Sequence, residues 1–163
     1  MHDDTTRVRI DVSQQTLTLL NHGQIVMTYP VSTAKNGVGE LKDSGKTPRG
    51  MHVIRAKIGA QAPLGAVFVG RRQTGDVATL DFVAQHPERD WILSRILWLS
   101  GLEVGLNRLG SVDTMQRYIY IHGSADEARI GLPVSKGCIR MKNQDIIDIF
   151  DQVNAGCIVD IVE

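Results

Sequence analysis

Long apolar runs are missing from this 163-residue chain, and with them any segment able to span a bilayer as a helix. The start, Met1-His2-Asp3-Asp4, is acidic and has neither the basic nor the apolar region of a secretory signal, so a chain beginning there reads as cytoplasmic. Net charge is missing too. Eighteen Lys and Arg balance eighteen Asp and Glu, and no overall field favours nucleic acid or a membrane surface as partner. Cysteine is scarce: Cys138 and Cys157 form no CxxC pair and no zinc-ligand spacing, so neither a metal nor another cofactor is expected. No internal repeat, low-complexity tract or Pro/Ser-rich linker divides the chain. One domain, 1–163, is the expectation, long enough for a real core.

What is present reads mostly as strands. Residues 7–12 and 16–20 alternate in period two, and 24–32 follows the Asn21-His22-Gly23 turn, which predicts an antiparallel meander with His22 exposed and idle. The glycine-rich stretch 34–50 lacks apolar periodicity and suits a long mobile loop ending at Thr47-Pro48. Between Lys35 and Lys57 six Lys or Arg face two acids, whereas 126–163 carries seven acids against four bases. Such a basic loop suits either a carboxylate-bearing substrate or plain solvation.

Strands resume at 51–58 and 66–71, with His52 read as partly exposed, and Arg71-Arg72 as a surface pair or, alternatively, a holder of a substrate carboxylate. Residues 74–90 are polar, with any short helix ended by Ala84-Gln85-His86-Pro87 and no chemical partner for His86. Trp91 to Leu99 is apolar on both faces and should be central; Arg95 within it needs a partner or an exit to water. A helix is predicted with Asn143 as N-cap, a stripe of Ile146, Ile147, Ile149, Phe150 and Val153, and Gly156 as terminator. Cys157 stands in an alternating terminal strand and reads as core.

His122 closes an alternating run and precedes Gly123-Ser124, so it should sit at a strand end, a rigid perch for a base. Cys138 follows Gly137, whose N–H and that of the cysteine suit an oxyanion hole. The interval between them holds Asp126, Glu127, Gly131 and Pro133, a loop able to leave the sheet and return. By themselves, a cysteine and a histidine are more often buried packing than catalysts.

The pattern His122-Gly123, a loop, then Ser135-x-Gly137-Cys138-x-Arg140 resembles the L,D-transpeptidases of the YkuD type. Tyr29-Pro30-Val31-Ser32-Thr33 and Thr47-Pro48-Arg49-Gly50 are similar to the family's N-terminal landmarks, and Gly105-Leu106-Asn107 and Asp113-Thr114 to features of some members. The resemblance therefore covers nearly the whole chain. Lys136 departs from it, where many members carry a second histidine.

The resemblance implies a mainly β fold with short helices, a β-sandwich, and a cysteine acyltransferase acting on peptidoglycan stem peptides or muropeptides. Cys138 would be the nucleophile and His122 its base, oriented by the main-chain carbonyl of Gly123 or Ser124. Gly137 N–H would help hold the oxyanion. Ser135 would fix the turn, and Arg140, Ser135 and Tyr120 would line the substrate side, Arg140 as carboxylate ligand or as a structural ion pair. The donor would be a tetrapeptide stem with diaminopimelate or lysine third, cleaved before its terminal D-alanine. Transfer to an amine gives a cross-link, and transfer to water gives L,D-carboxypeptidase activity, the outcome favoured in a cytoplasmic chain. Carbapenems should acylate Cys138. As a piece of a longer chain the sequence would instead belong to the periplasm or wall. A non-catalytic peptidoglycan-binding module is the alternative, and a zinc site of His122, Cys138 and a carboxylate a weaker one.

Overall fold

The computed structural model describes residues 5–87 and 89–163, so the acidic start at 1–4 lies outside the described residues. The order is β1 (Thr6–Asp11), β2 (Thr16–Asn21), β3 (Gln24–Pro30), β4 (Gly50–Ile58), β5 (Ala66–Val69), β6 (Arg72–Val77), α1 (Leu80–Ala84), β7 (Ile92–Gly101), β8 (Tyr120–Gly123), β9 (Ile139–Met141), α2 (Asn143–Phe150) and β10 (Ile158–Val162). Ten strands among the described residues pair in the order β3-β2-β1-β10-β4-β7-β5-β6, with β8 on β7 and β9 on β8.

The meander forms as its alternation predicts, and its second turn places His22 and Gly23 at φ 51° and 76°, the left-handed pair that a two-residue hairpin requires. β10 then runs parallel to β1 and antiparallel to β4, closing the two ends of the chain together. Period-two residues point to one interior: Val8 and Ile10, Leu17 and Leu19, Ile54, Leu97 and Leu99, Ile121, Ile139, Val159 and Ile161 form one core with Ile146, Ile149 and Phe150 of α2. This is the mainly β fold with few short helices that the resemblance implied.

β7 is the hub. It pairs with β4 from Ile96 to Gly101, with β5 at Ile92 and Leu93, and with β8 along its other edge. Its register slips between Leu93 and Ile96, where Ser94 has φ 71°, so Trp91 and Leu93 join a separate cluster with Val67 while Leu97 and Leu99 face the main core. Arg95 finds its partners in the carbonyls of Ala62 and Ser94, both at 2.7 Å.

Several details differ from the sequence reading. β6 is an edge strand exposed throughout, so it carries no apolar alternation to betray it. His52 is buried, not partly exposed, with Nε2 3.0 Å from Thr114 Oγ1 and Nδ1 2.9 Å from the Gly50 carbonyl; burial pushes its pKa down to about 4. His86 packs edge-on against Trp91 at 5.8 Å. The 34–50 loop is stitched down rather than loose: Ala34 bridges to Ser135, Val38 to Thr47, and Thr47 is fully buried. The helix begins at Asn143, with Lys142 as the cap position, and ends at Phe150, well before Gly156.

Candidate active site

β8 and β9 lie side by side and parallel, with Ile121 opposite Ile139, His122 opposite Arg140 and Gly123 opposite Met141. A parallel pair needs a crossover, and residues 124–138 supply it. That topology returns Cys138 to the β8 edge just before the register begins. Tyr120 N–H accordingly points at Cys138 Sγ, 3.3 Å away, and the thiol donates to the Tyr118 carbonyl at 3.3 Å. Tyr118 can present that carbonyl because its φ is 55°, a left-handed conformation unusual for an aromatic residue.

His122 is fully buried, and its Nδ1 lies 2.6 Å from the Gly123 carbonyl oxygen. A carbonyl only accepts, so Nδ1 carries the proton and Nε2 presents a lone pair. Nε2 is buried and, among the described residues, has no hydrogen-bond partner. The orienting carbonyl is thus that of Gly123, while Ser124 O accepts from Asn143 Nδ2 at 2.8 Å. Asn143 Oδ1 in turn accepts from Ser94 Oγ at 2.7 Å, which ties α2, the β7 bulge and the end of β8 together. A side chain at Gly123 would run into Asn143 Oδ1 and the Leu93 carbonyl, so only glycine allows this approach.

The Cys138 turn is built by Ser135 and the 34–50 loop. Ser135 Oγ donates to the Cys138 carbonyl at 2.6 Å and accepts from Gly137 N–H at 3.2 Å. Gly137 sits at φ 130°, and Thr47 Oγ1 donates to its carbonyl at 2.9 Å. Arg117 clamps the same loop: its guanidinium donates to the carbonyls of Lys46 at 2.6 Å and of Gly39 and Glu40, each at 3.3 Å. Arg117, Asn143 and Thr47 are not legible as site components in the sequence because the contacts that tie them to the site, Arg117 to the 39–46 loop, Asn143 to Ser94 and Ser124, and Thr47 to Gly137, are long-range.

Arg140, the carboxylate candidate, is buried and ion-paired to Asp90 at 2.9 Å, with its Nε lacking a partner among the described residues. Tyr120 OH receives a hydrogen bond from Arg71 at 3.1 Å, and the Arg71 guanidinium lies over Trp98 at 4.7 Å and Tyr118 at 5.0 Å. The Arg71 side chain therefore fastens the β5–β6 turn to the aromatic wall.

Electrostatically the pair is at rest. Burial pushes the Cys138 thiol up to about 11, with the Asp90 carboxylate adding to the rise, while Tyr120 N–H, Arg140 and Arg117 pull it down. Burial also lowers His122, against the opposing pull of Asp90 and of the Gly123 carbonyl. Two cavities, of about 450 and 430 Å³, flank the Cys138 turn; the first is lined by Lys42, Arg117, Tyr118 and Lys136, the second by Asp90, Ser124, Lys136 and Arg140. Among the described residues no three His, Cys, Asp or Glu side chains gather as a metal site.

The YkuD L,D-transpeptidase catalytic domain profile matches residues 5–161. The chain belongs to this family. It is 26% identical over 150 residues to the putative L,D-transpeptidase YkuD of Bacillus subtilis, covering 91% of this chain and 61% of that protein. A 47-residue stretch is 47% identical to the probable L,D-transpeptidase ErfK/SrfK of Escherichia coli, covering 29% of this chain and 15% of that protein. In fold this L,D-transpeptidase-family chain is similar to an L,D-transpeptidase from Mycobacterium smegmatis, with TM-score 0.58, 18% identity, and 98% of this chain and 59% of that one covered. The transpeptidase LdtMt1, solved with imipenem, is similar at TM-score 0.58 and 20% identity, over 98% of this chain and 59% of that one. The chain thus spans about three fifths of the length of the YkuD relative. No described helix is long and apolar enough to cross a membrane.

Proposed function

We propose that this chain is a cysteine acyltransferase of peptidoglycan stem peptides, working through a thioester on Cys138. The observation that carries the reading is His122: an imidazole with its Nδ1 proton held by the Gly123 carbonyl and its buried Nε2 lone pair without a partner among the described residues, on the strand beside Cys138. A buried nitrogen left unsatisfied is unfavourable in a structural histidine and suited to a base awaiting a proton.

In the reaction the thiol leaves the Tyr118 carbonyl and gives its proton to His122 Nε2 as sulfur attacks the carbonyl carbon of the third stem residue. Tyr120 N–H, already aimed at the sulfur, stabilises the developing thiolate. Gly137 N–H is engaged by Ser135 Oγ, so Cys138 N–H is the oxyanion donor we favour, and Gly137 contributes by shaping the turn. Collapse breaks the C–N bond, the D-alanine amine takes the proton from His122, and a thioester remains. Water deprotonated by Nε2 then releases a tripeptide and restores the thiol, giving L,D-carboxypeptidase activity. An amine from a second stem gives a cross-link.

The test is mass spectrometry of the intact protein, wild type and Cys138→Ala, mixed with a diaminopimelate tetrapeptide while D-alanine, tripeptide and dimer are followed. The expected result is an adduct and D-alanine with the wild type alone, the product ratio naming the acceptor. The raised Cys138 pKa favours a second reading, a peptidoglycan-binding module with an inert thiol. No adduct and no D-alanine from reduced protein that still binds the stem would decide for it.

A further inference from the structure

Lys136 lines both cavities beside the Cys138 turn and lies two residues before the cysteine. It is exposed, and among the described residues it makes no ion pair. In the cavity on the Asp90 side, Asp90 is taken by Arg140 and Asp126 by Arg129. The charge left over there is Lys136 together with Arg89, whose guanidinium lies over Trp91 at 4.6 Å. In the cavity on the Tyr118 side, Lys42, Arg117 and Lys136 face Asp43 alone. Arg117 donates there to carbonyl oxygens of the loop and makes no ion pair among the described residues; the carboxylates of Glu40, itself held by Arg49, and Asp43 act on its charge from farther off. The whole chain is neutral, so this local excess of positive charge is a property of the site.

A second observation points to an anion at the Asp90 side. Arg140 lines that cavity and is 7% exposed, its NH2 holds Asp90, and its Nε, buried behind the cavity wall, has no partner among the described residues. Burying a guanidinium N–H without an acceptor is unfavourable, and a small turn of the side chain toward a ligand oxygen in the cavity would satisfy it. A carboxylate bridging Arg140 and the mobile ammonium of Lys136 meets both needs, since lysine supplies a point charge on a flexible stem and arginine directional donors.

Resting on the acyl-enzyme reading, we propose that Lys136 and Arg140 form a subsite for the free terminal carboxylate of the residue that leaves Cys138. In a donor cleaved before its last residue, that carboxylate carbon is only three bonds from the carbon that sulfur attacks. A cation two positions from the nucleophile can therefore read it directly. The subsite makes the enzyme select stems that end immediately after the scissile bond, over stems amidated at that end.

The experiment compares a tetrapeptide stem as free acid and as C-terminal amide on wild type, Lys136→Met and Lys136→Arg, following D-alanine or D-alaninamide release. The same two peptides are titrated calorimetrically into Cys138→Ala and Cys138→Ala/Lys136→Met. Wild type should prefer the acid at least tenfold in KM, Lys136→Met should reduce this preference below threefold, and Lys136→Arg should keep most of it. Equal preference in wild type and Lys136→Met, or none in wild type, overturns the subsite. If acid-selective binding depends on Lys136 but no product is released, the subsite stands and the acyl-enzyme reading falls. Neither binding nor release overturns both.

Discussion

Cys138 should react with small electrophiles more slowly than an ordinary cysteine, despite sitting beside a histidine. With its pKa pushed up to about 11 by burial, the thiol is ionised to about one part in a thousand at pH 8, against roughly one part in four for an unperturbed thiol. The more basic thiolate is the better nucleophile, by roughly tenfold over this interval, so the net deficit toward a small aromatic disulfide is about twentyfold. The assay is stopped-flow release of the aromatic thiol from pH 6 to pH 10 in a Cys157→Ala background, which removes the second, core-packed thiol. The rate should climb about tenfold per pH unit with no plateau. Replacing Arg117 with Gln should push the profile further to high pH, because its charge pulls the thiol pKa down. A plateau reached below pH 8 would refute the reasoning, since it would mean a thiolate–imidazolium pair already formed in the resting protein. On the proposed acyl-enzyme reading, the predicted profile implies that proton transfer to His122 waits for a docked acyl donor.

Other positions give independent checks. Asn143→Ala removes the partners of Ser124 O and Ser94 Oγ, and should cost about 1–3 kcal/mol in urea unfolding together with a loss of D-alanine release. Thr47→Val deletes the hydroxyl that joins Ala34 N–H to the Gly137 carbonyl; a similar destabilisation is expected, and unchanged unfolding with unchanged release would show that the loop is held otherwise. His52 is neutral when folded, with a pKa near 4 against 6.5 when unfolded, so its contribution is full above pH 6.5 and is lost as the pH falls through 4. Acidification across that window should remove about 3 kcal/mol, and thermal melts of His52→Gln should show a shallower fall with pH.

Which residues could be read from sequence follows from the range of their interactions. The meander and the terminal strand declare themselves by alternation, and the His22-Gly23 turn by its dipeptide, because those patterns are local. β6 was invisible because an exposed edge strand has no buried face to mark it. His52 and Asn143 were misread for a related reason: a polar residue in a strand or at a helix start looks solvent-facing or capping until its distant partners, Thr114, Ser94 and Ser124, are known. Cys138 and His122 stand out through their glycine neighbours, Gly137 required by its φ of 130° and Gly123 by the close approach of Asn143 and the Leu93 carbonyl. The long contacts that aim them do not.

Those contacts explain the spacing of the motif itself. Ser135 must accept from Gly137 and donate to the Cys138 carbonyl, which requires a hydroxyl two residues before the glycine. Gly137 must hold φ 130°, where an added Cβ would lie 3.3 Å from the Lys46 carbonyl, the same oxygen that Arg117 grips. Serine and glycine are thus fixed by geometry, and His122 and Cys138 by the proposed chemistry. Lys136 stands between them with its side chain used by neither, exposed to both cavities. A position that the turn leaves unconstrained, yet that borders the proposed nucleophile, is where substrate preference can change without rebuilding the fold. A lysine there suits a donor that ends in a carboxylate.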